Sequence, residues 1–236
     1  MKTKSFLLGT LTLCIGLGLF TACDNNQKKN NPSETPKTPT KLEMKAPQVE
    51  ANESGFIFLE QFPETDPHLT VKVSDDFNTA TIMYDGKEIQ TVNEELGLAS
   101  DEATVRFLDA NFDGLTDIYI GPGQSRTANS LLVWNEKEQQ FKNVVGSTLQ
   151  NPMLDPATKS FIQGGSNSAS EFCISRGLFK NDKLVMEELL SIVTDPDSDV
   201  EHTYTLTNPE GKILYTMETA DGMPEIWQKI VSTYGF

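Results

Sequence analysis

The sequence predicts an all-β fold, mainly an antiparallel sandwich or barrel, with a short C-terminal helix. Short runs rich in β-branched and aromatic residues recur along the chain from residue 56 onwards. Residues typical of tight turns separate these runs, and helical periodicity is clear only near the C-terminus. The runs do not repeat at a fixed period, so a propeller built from serial repeats is not expected.

Residues 1–22 are expected to be a lipoprotein signal peptide. Lys2 and Lys4 precede an apolar run at residues 6–20, which is short for a bilayer span and typical of an export signal. The run ends in the letters LFTAC, which resemble a bacterial lipobox, and this resemblance implies cleavage before Cys23 and acylation of its thiol by chains such as palmitate. We therefore expect a protein of the cell envelope, lipid-anchored to a bacterial membrane, with the periplasmic or surface face of the outer membrane as the first candidate. The alternative is an ordinary secretory signal with Cys23 retained.

Composition divides the exported chain into a tether and a domain. Residues 23–54 begin with the lipidated cysteine, contain four prolines and show no sustained apolar pattern, so we expect a disordered tether. Residues 55–236 are long enough for a single β-rich domain. This domain carries 12 Lys and Arg against 29 Asp and Glu, a net charge of −17. Such a charge argues against nucleic acid as a partner and permits cations or basic proteins.

Six short runs of apolar and β-branched residues are predicted strands. In chain order they are 56–60, Leu69–Val73, Ala80–Tyr84, Thr104–Leu108, Asp117–Gly121 and 130–134. Turn residues predict hairpins at 85–86, 135–138, 181–182 and 208–211. The run at residues 183–193 is assigned as a strand, although its pattern is also compatible with a helix.

Only the C-terminal segment has helical periodicity. Pro224 suits the start of a helix, and Ile226, Trp227, Ile230 and Val231 then fall on one face. We expect this face to pack Trp227 against the sheet.

Residues 109–117, with the sequence DANFDGLTD, have the spacing of a calcium-binding loop. Calcium prefers oxygen ligands, and alternate residues of a loop can point them toward one centre. The expected ligands are four side-chain oxygens and one carbonyl oxygen, from Asp109, Asn111, Asp113, Asp117 and Leu115. Gly114 stands where such a loop turns sharply. The alternative is an acidic hairpin turn without an ion.

The strand-like flanks decide which calcium loop this stretch resembles. An EF-hand needs a helix on each side and a glutamate at the twelfth position, where this chain has Ile120. The stretch resembles instead the D-x-D-x-D-G-x-x-D strand–loop–strand of FG-GAP and integrin-type β repeats, with Asn111 in place of the second aspartate.

A wider resemblance covers residues 104–145, which look similar to small calcium-binding envelope β-proteins in a fold related to periplasmic lysozyme inhibitors. It implies a Ca²⁺ ion held by the loop and a binding role, with inhibition of a cell-wall hydrolase as one form of it. The Ser-Gly-x-x-Tyr loop of several lysozyme-inhibitor families is not matched, because Phe58 stands at the position of the tyrosine.

The other chemically capable residues are expected to be structural. Asp195, Asp197 and Asp199 alternate but lack a turning glycine, so we expect a solvated loop, with a second ion site as the alternative. His68 and His202 are the only histidines, and each is expected in a structural or solvent-facing position.

The sequence favours binding over catalysis. The letters GQSRT around Ser125 lack the second glycine of a nucleophile elbow. Cys173 has the apolar neighbours of a buried thiol. No zinc or phosphate-binding motif is present. We expect a calcium-stabilised domain that binds a protein partner in the envelope; the alternatives are a purely structural envelope lipoprotein and a hydrolase with an unrecognised acidic site.

Overall fold

The computed structural model describes residues 41–75, 78–93, 104–121, 130–144, 151–181, 183–195 and 201–236. The expected signal peptide, Cys23 and the first part of the expected tether lie outside these residues. Within the described ranges, no helix combines the length and the apolar character that a membrane span requires.

Short strands make up most of the described chain, and one α-helix follows them. The strands are β1 (Ile57–Phe58), β2 (Leu69–Val73), β3 (Ala80–Tyr84), β4 (Lys87–Val92), β5 (Thr104–Leu108), β6 (Asp117–Gly121), β7 (Ser130–Asn135), β8 (Gln140–Asn143), β9 (Met153–Asp155), β10 (Ser160–Ser166), β11 (Glu171–Lys180), β12 (Lys183–Thr194), β13 (His202–Thr207) and β14 (Ile213–Met217). Two 3-10 turns, Leu59–Gln61 and Ala220–Gly222, and the helix α1 (Glu225–Thr233) complete the described elements.

The strands form three antiparallel sheets. The long sheet has the order β1-β9-β10-β11-β12-β13-β14, the middle sheet β5-β6-β7-β8 and the small sheet β2-β3-β4. Each neighbouring pair runs antiparallel. The predicted all-β antiparallel class with a C-terminal helix is therefore confirmed. The sheets are open among the described residues, so the sandwich describes them and the barrel does not.

The middle sheet is buried on both faces. Ile118 and Ile120 of β6 belong to the core shared with the small sheet, whereas Tyr119 between them belongs to the core shared with the long sheet. Successive side chains of a strand point to opposite faces, so the continuous burial of β6 and β7 means that layers cover both sides. The loop between β5 and β6 therefore ends at a strand that is buried on both faces.

The C-terminal helix covers the face of the long sheet that is not packed against the middle sheet. Trp227, Ile230 and Val231 are fully buried in a core shared with that sheet, as the helical spacing predicts. The indole Nε1 of Trp227 donates to Glu188 at 3.2 Å, and Glu188 also pairs with Arg176 at 2.7 Å. These contacts fix the helix against strands β11 and β12.

Several predicted strands and turns match the structure. The bounds of β2, β3, β5 and β6 are those of the predicted runs. Asp85 and Gly86 both have positive φ, as a two-residue type I′ hairpin between β3 and β4 requires. The run at residues 183–193 is strand β12, which excludes the helical alternative.

The prediction of a strand over residues 56–60 is wrong in its second half. β1 ends at Phe58, and Leu59–Gln61 forms a 3-10 turn. The side-chain oxygen of Gln61 accepts from the backbone N–H of Phe58 at 2.8 Å. This local side-chain contact competes with the strand ladder and ends it.

The packed part of the described chain begins earlier than the predicted residue 55. Met44 and Ala46 are only 5% and 3% exposed, and Met44 belongs to the core between the small and middle sheets. Leu42 packs against the same core. These three residues alternate with charged ones, so one side of the extended segment is apolar. Residues 41–49 are called the N-terminal segment below.

Candidate functional site

The candidate calcium loop, residues 109–117, connects β5 to β6. Leu108 and Asp117 are paired across these strands, so the loop begins and ends at the same rung of the middle sheet. Phe112 and Gly114 have positive φ, 62° and 84°. Gly114 is thus left-handed at the position where the sequence predicts a sharp turn, and a residue with a side chain would be strained there.

The first half of the loop directs its side-chain oxygens toward its own backbone. Asp109 accepts from the N–H of Asp113 at 3.0 Å and from that of Gly114 at 2.9 Å. The Oδ1 atom of Asn111 accepts from the same Asp113 N–H at 3.1 Å. Asp113 in turn accepts from the N–H of Leu115 at 2.8 Å. Oxygens of Asp109 and Asn111 therefore face one amide and lie on the same side of the turn.

Asp117, the last of the expected ligands, lies inside the core. Its side chain is fully buried. One carboxylate oxygen accepts from the N–H of Ala110 and the other from the N–H of Trp134, both at 2.9 Å. Because Trp134 belongs to β7, this carboxylate joins the start of the loop to a neighbouring strand.

Electrostatic repulsion acts within the loop. Burial raises the pKa of Asp117 well above its usual range; the two N–H donors oppose this rise, and the charges of Asp113 and Asp109 add to it. Burial also raises the pKa of Asp109, with a further contribution from Asp113. Three carboxylates thus share one partly buried turn, where a cation would favour their charged forms.

The donor types of the loop fit calcium, because every expected ligand offers an oxygen. In the described conformation these oxygens accept from backbone amides, and the Asn111 amide donates to Asp113 at 2.8 Å. Within the described ranges, no three His, Cys, Asp or Glu side chains converge closely enough to hold a metal ion. The oxygens of the expected ligands therefore lie in one turn, but they are arranged as hydrogen-bond acceptors of the loop and not as a coordination shell around an ion.

The N-terminal segment contacts the loop directly. The N–H of Ala46 donates to the carbonyl of Gly114 at 3.1 Å. Leu115 packs against the core that contains Met44, and Phe112 packs against the core on the other side of the middle sheet. The loop is thus anchored on both faces of that sheet. The sequence signal for this contact is the alternation of apolar and charged residues before residue 47, within a stretch whose composition otherwise predicts a tether.

The second acidic series is only partly described. Asp195 is exposed directly after β12. Asp197, Asp199 and the elbow-like Ser125 lie outside the described residues. A second ion site therefore remains an alternative prediction from the sequence.

The histidines and the remaining cysteine make ordinary side-chain contacts. His68 contacts Asp85 at 2.8 Å, and this hydrogen bond raises the pKa of the imidazole. His202 contacts Thr194 at 3.0 Å. Cys173 is half-buried, and burial together with a neighbouring carboxylate raises the pKa of its thiol. A raised pKa lowers the fraction of nucleophilic thiolate.

A cavity of about 610 Å³ that the sequence does not predict opens beside β5 and β6. Arg106 lines it, donating to the carbonyl of Phe62 at 2.8 Å and pairing with Glu64 at 2.8 Å. Tyr119 and Tyr234 line it as well, and burial raises the pKa of both phenols. The walls of this cavity come from distant parts of the chain. The one local feature of the sequence that could have indicated the cavity is Arg106, a cation inside the apolar run of β5.

Comparison with known proteins assigns no family. Neither a protein-family model nor a curated protein matches this chain. Among solved structures, a Xanthomonas Type IV secretion system related protein is similar, with 12% sequence identity, coverage of 75% of this chain and 99% of that chain, and a TM-score of 0.38. Likeness at this level assigns neither a fold family nor a function.

Proposed function

We propose that this chain is a lipid-anchored protein of the bacterial cell envelope whose β-domain is a calcium-stabilised binding module. The anchor is supported by the lipobox-like letters LFTAC that end at Cys23. The module binds a protein partner and does not turn over a substrate. A basic cell-wall hydrolase is the first candidate partner, as the resemblance to small calcium-binding envelope β-proteins suggests.

The observation that carries the proposal is the attachment of the loop at residues 109–117 to the doubly buried middle sheet. Asp117 connects the loop to β7, and Gly114 connects it to the N-terminal segment. An ion held by the loop would therefore stabilise strands β5, β6 and β7 together with that segment, and not only a surface turn.

The ion would be held by oxygens from Asp109, Asn111, Asp113, Leu115 and Asp117. Calcium would supply positive charge that offsets the repulsion among the loop carboxylates. Asn111 replaces an aspartate of the motif, which lowers the negative charge of the set and weakens binding. The expected affinity is that of extracellular modules, with a dissociation constant of about 10⁻⁴ to 10⁻³ M, which suits an exported protein.

The charge of the domain supports a basic partner. Residues 55–236 carry 12 Lys and Arg against 29 Asp and Glu, and such a surface attracts cationic proteins at long range. A purely structural lipoprotein would have no saturable partner. Binding of lysozyme, a basic cell-wall hydrolase, to the immobilised domain therefore separates the two functions.

Calorimetric titration with calcium tests the role of the loop. The fragment to use is residues 41–236, because the N-terminal segment contacts the loop. We expect about one equivalent of calcium per chain and a higher Tm in its presence. Asp113→Ala should abolish both effects. Glu210→Ala, which removes an exposed carboxylate from the hairpin between β13 and β14, should retain them.

Two results would contradict the proposal. The absence of heat and of any Tm shift at several millimolar calcium would mean that the loop is held by its own amides alone. Saturable lysozyme binding that is unchanged in Asp113→Ala would mean that recognition does not depend on the ion.

A further inference from the structure

The cavity beside β5 and β6 contains a hydroxyl group that has no partner in the described part of the chain. Tyr119 lines the cavity and is only 3% exposed, yet no described group bonds to its hydroxyl. The unpaired side-chain oxygens that are sealed within the described core belong to Thr116 and Gln163, so the Tyr119 hydroxyl opens into the cavity. A tyrosine buried this deeply ordinarily has a hydrogen-bond partner, and here the cavity is the place where a partner can bind.

Arg106 is the neighbour of Tyr119 across the two strands, so both side chains lie on the same face of the middle sheet. Its contacts with the carbonyls of Phe62 and Glu60, at 2.8 and 3.4 Å, and with Glu64, at 2.8 Å, use three of the five N–H donors of a guanidinium. The side chain of Glu64 is 60% exposed. An anion from solution can therefore compete with Glu64 for its place on Arg106.

The other hydroxyl groups of the cavity walls already donate to the backbone. Those of Thr104, Tyr234 and Thr233 donate to carbonyl oxygens at 2.7, 2.8 and 2.8 Å. Arg106 and Tyr119 are thus the partly or fully buried wall residues that still have N–H or O–H groups to donate. Two neighbouring donors, one of them cationic, select a ligand with an anionic oxygen.

The rest of the cavity limits the size and the charge of the ligand. Phe58, Leu59 and Pro152 provide an apolar part of the wall, and a volume of about 610 Å³ lies within the range of sites for small organic molecules. Glu60 lines the cavity from an exposed position, and residues 55–236 carry a net charge of −17. These charges repel a ligand with several negative groups, so the ligand carries a single anionic group.

We propose that the cavity binds a small organic acid with one carboxylate on an apolar body. The carboxylate replaces Glu64 on Arg106 and accepts a hydrogen bond from Tyr119. Its planar shape matches the guanidinium, which can donate two parallel N–H groups to it. The apolar body fills the apolar part of the cavity. None of these residues is an expected calcium ligand, so the site does not depend on the loop at residues 109–117.

Calorimetric titration of the full chain with phenylacetate and with hexanoate tests the proposal. The chain is held in detergent micelles in a buffer without carboxylates, and empty micelles give the blank. We expect saturable binding of at least one of the two acids at a single site. Phenylethanol and hexanol have similar bodies without the carboxylate, and each should bind about tenfold more weakly than the acid, or not at all.

Three variants locate the binding site. Tyr119→Phe keeps the ring and loses the hydroxyl, so affinity for the acid should fall by about tenfold or more. Arg106→Met removes the cation and should abolish binding. Glu64→Gln removes the competing carboxylate and should strengthen binding by about two- to fivefold. This gain is specific to the proposal, because a purely structural pair of Arg106 and Glu64 predicts none.

The control is Glu210→Gln, which makes the same charge change at an exposed position between β13 and β14 and should leave affinity unaltered. Circular dichroism confirms that the variants keep the fold, and Tyr119→Phe and Glu64→Gln decide the matter if Arg106→Met does not fold. The proposal is overturned if neither acid binds at several millimolar, if the alcohols bind as tightly as the acids, or if Tyr119→Phe and Glu64→Gln both retain the parent affinity.

Discussion

Asp117 stabilises the fold whether or not it also binds an ion. Its two oxygens accept from two backbone amides within the core, those of Ala110 and Trp134. A buried N–H group requires an acceptor, because the loss of its hydrogen bond to water is otherwise uncompensated. The spacing of the motif identifies the residue but does not reveal these partners, since Trp134 comes from another strand.

The first residue-scale prediction concerns Asp117→Asn. The side chain keeps its size, but a carboxamide has one acceptor oxygen, so one of the two buried amides loses its acceptor. We expect the free energy of unfolding to fall by about 1–3 kcal/mol, measured by urea denaturation in the presence of a calcium chelator.

Asp113→Asn is the matched control, because Asp113 is exposed and the same charge is removed. Its expected change is within about 0.5 kcal/mol. Equal stability of the two variants would contradict the structural role of Asp117, because it would mean that the two core amides do not depend on the carboxylate.

At the scale of elements, the N-terminal segment joins two parts of the fold. Its Met44 fills the core between the small and middle sheets, and its Ala46 bonds to the candidate loop. The packing of Met44 and the conformation of the loop are therefore linked through two residues of the same short segment.

We predict that Met44→Ala destabilises the domain. Truncation of a buried side chain removes apolar burial and leaves a cavity, for which we expect a loss of about 2–5 kcal/mol in the free energy of unfolding. Urea denaturation of residues 41–236 measures it. Lys45→Ala, at an exposed neighbouring position, should change stability by no more than about 0.5 kcal/mol. Similar values for the two variants would show that the segment does not pack in solution.

Local chemistry explains which elements the sequence predicts. The hairpin of β3 and β4 depends on residues that are close in the chain, and Asp85 and Gly86 adopt the positive φ that their types favour. The glycine of the candidate loop behaves likewise, since Gly114 has the expected left-handed backbone. In these places the preferred local conformation and the final fold agree.

Contacts between distant residues explain what the sequence does not predict. Ile57 pairs with Leu154 of β9, and no local pattern encodes a partner so far along the chain. The side chain of Asp117 reaches Trp134 in the same way. The N-terminal segment belongs to residues 23–54, a stretch with four prolines and no sustained apolar pattern. The composition of that stretch indicates a tether, whereas tertiary contacts make residues 41–49 part of the core.

At the scale of the whole molecule, the packed N-terminal segment shortens the expected tether. Leu42 and Met44 pack against the core of the domain, so at most residues 24–40 would separate an anchor at Cys23 from the domain. A flexible chain of that length spans about 20–25 Å, less than a tether that extends to residue 54. The domain would then remain close to the membrane surface, within reach of partners that act there.

The last prediction tests the proposed lipid anchor at Cys23, on which the distance between membrane and domain depends. Cys23→Ser removes the sulfur that acylation requires, so in a bacterial host the variant should lose labelling by palmitate and move from the membrane fraction to the soluble fraction. Cys173→Ser removes the half-buried thiol of β11 and should change neither result. Stable attachment requires more than one acyl chain or a second signal, and the net charge of −17 on residues 55–236 does not favour contact with anionic lipids. Membrane retention of the Cys23→Ser variant without palmitate would therefore show that another part of the chain holds the protein, and the distance between domain and membrane would no longer depend on residues 24–40.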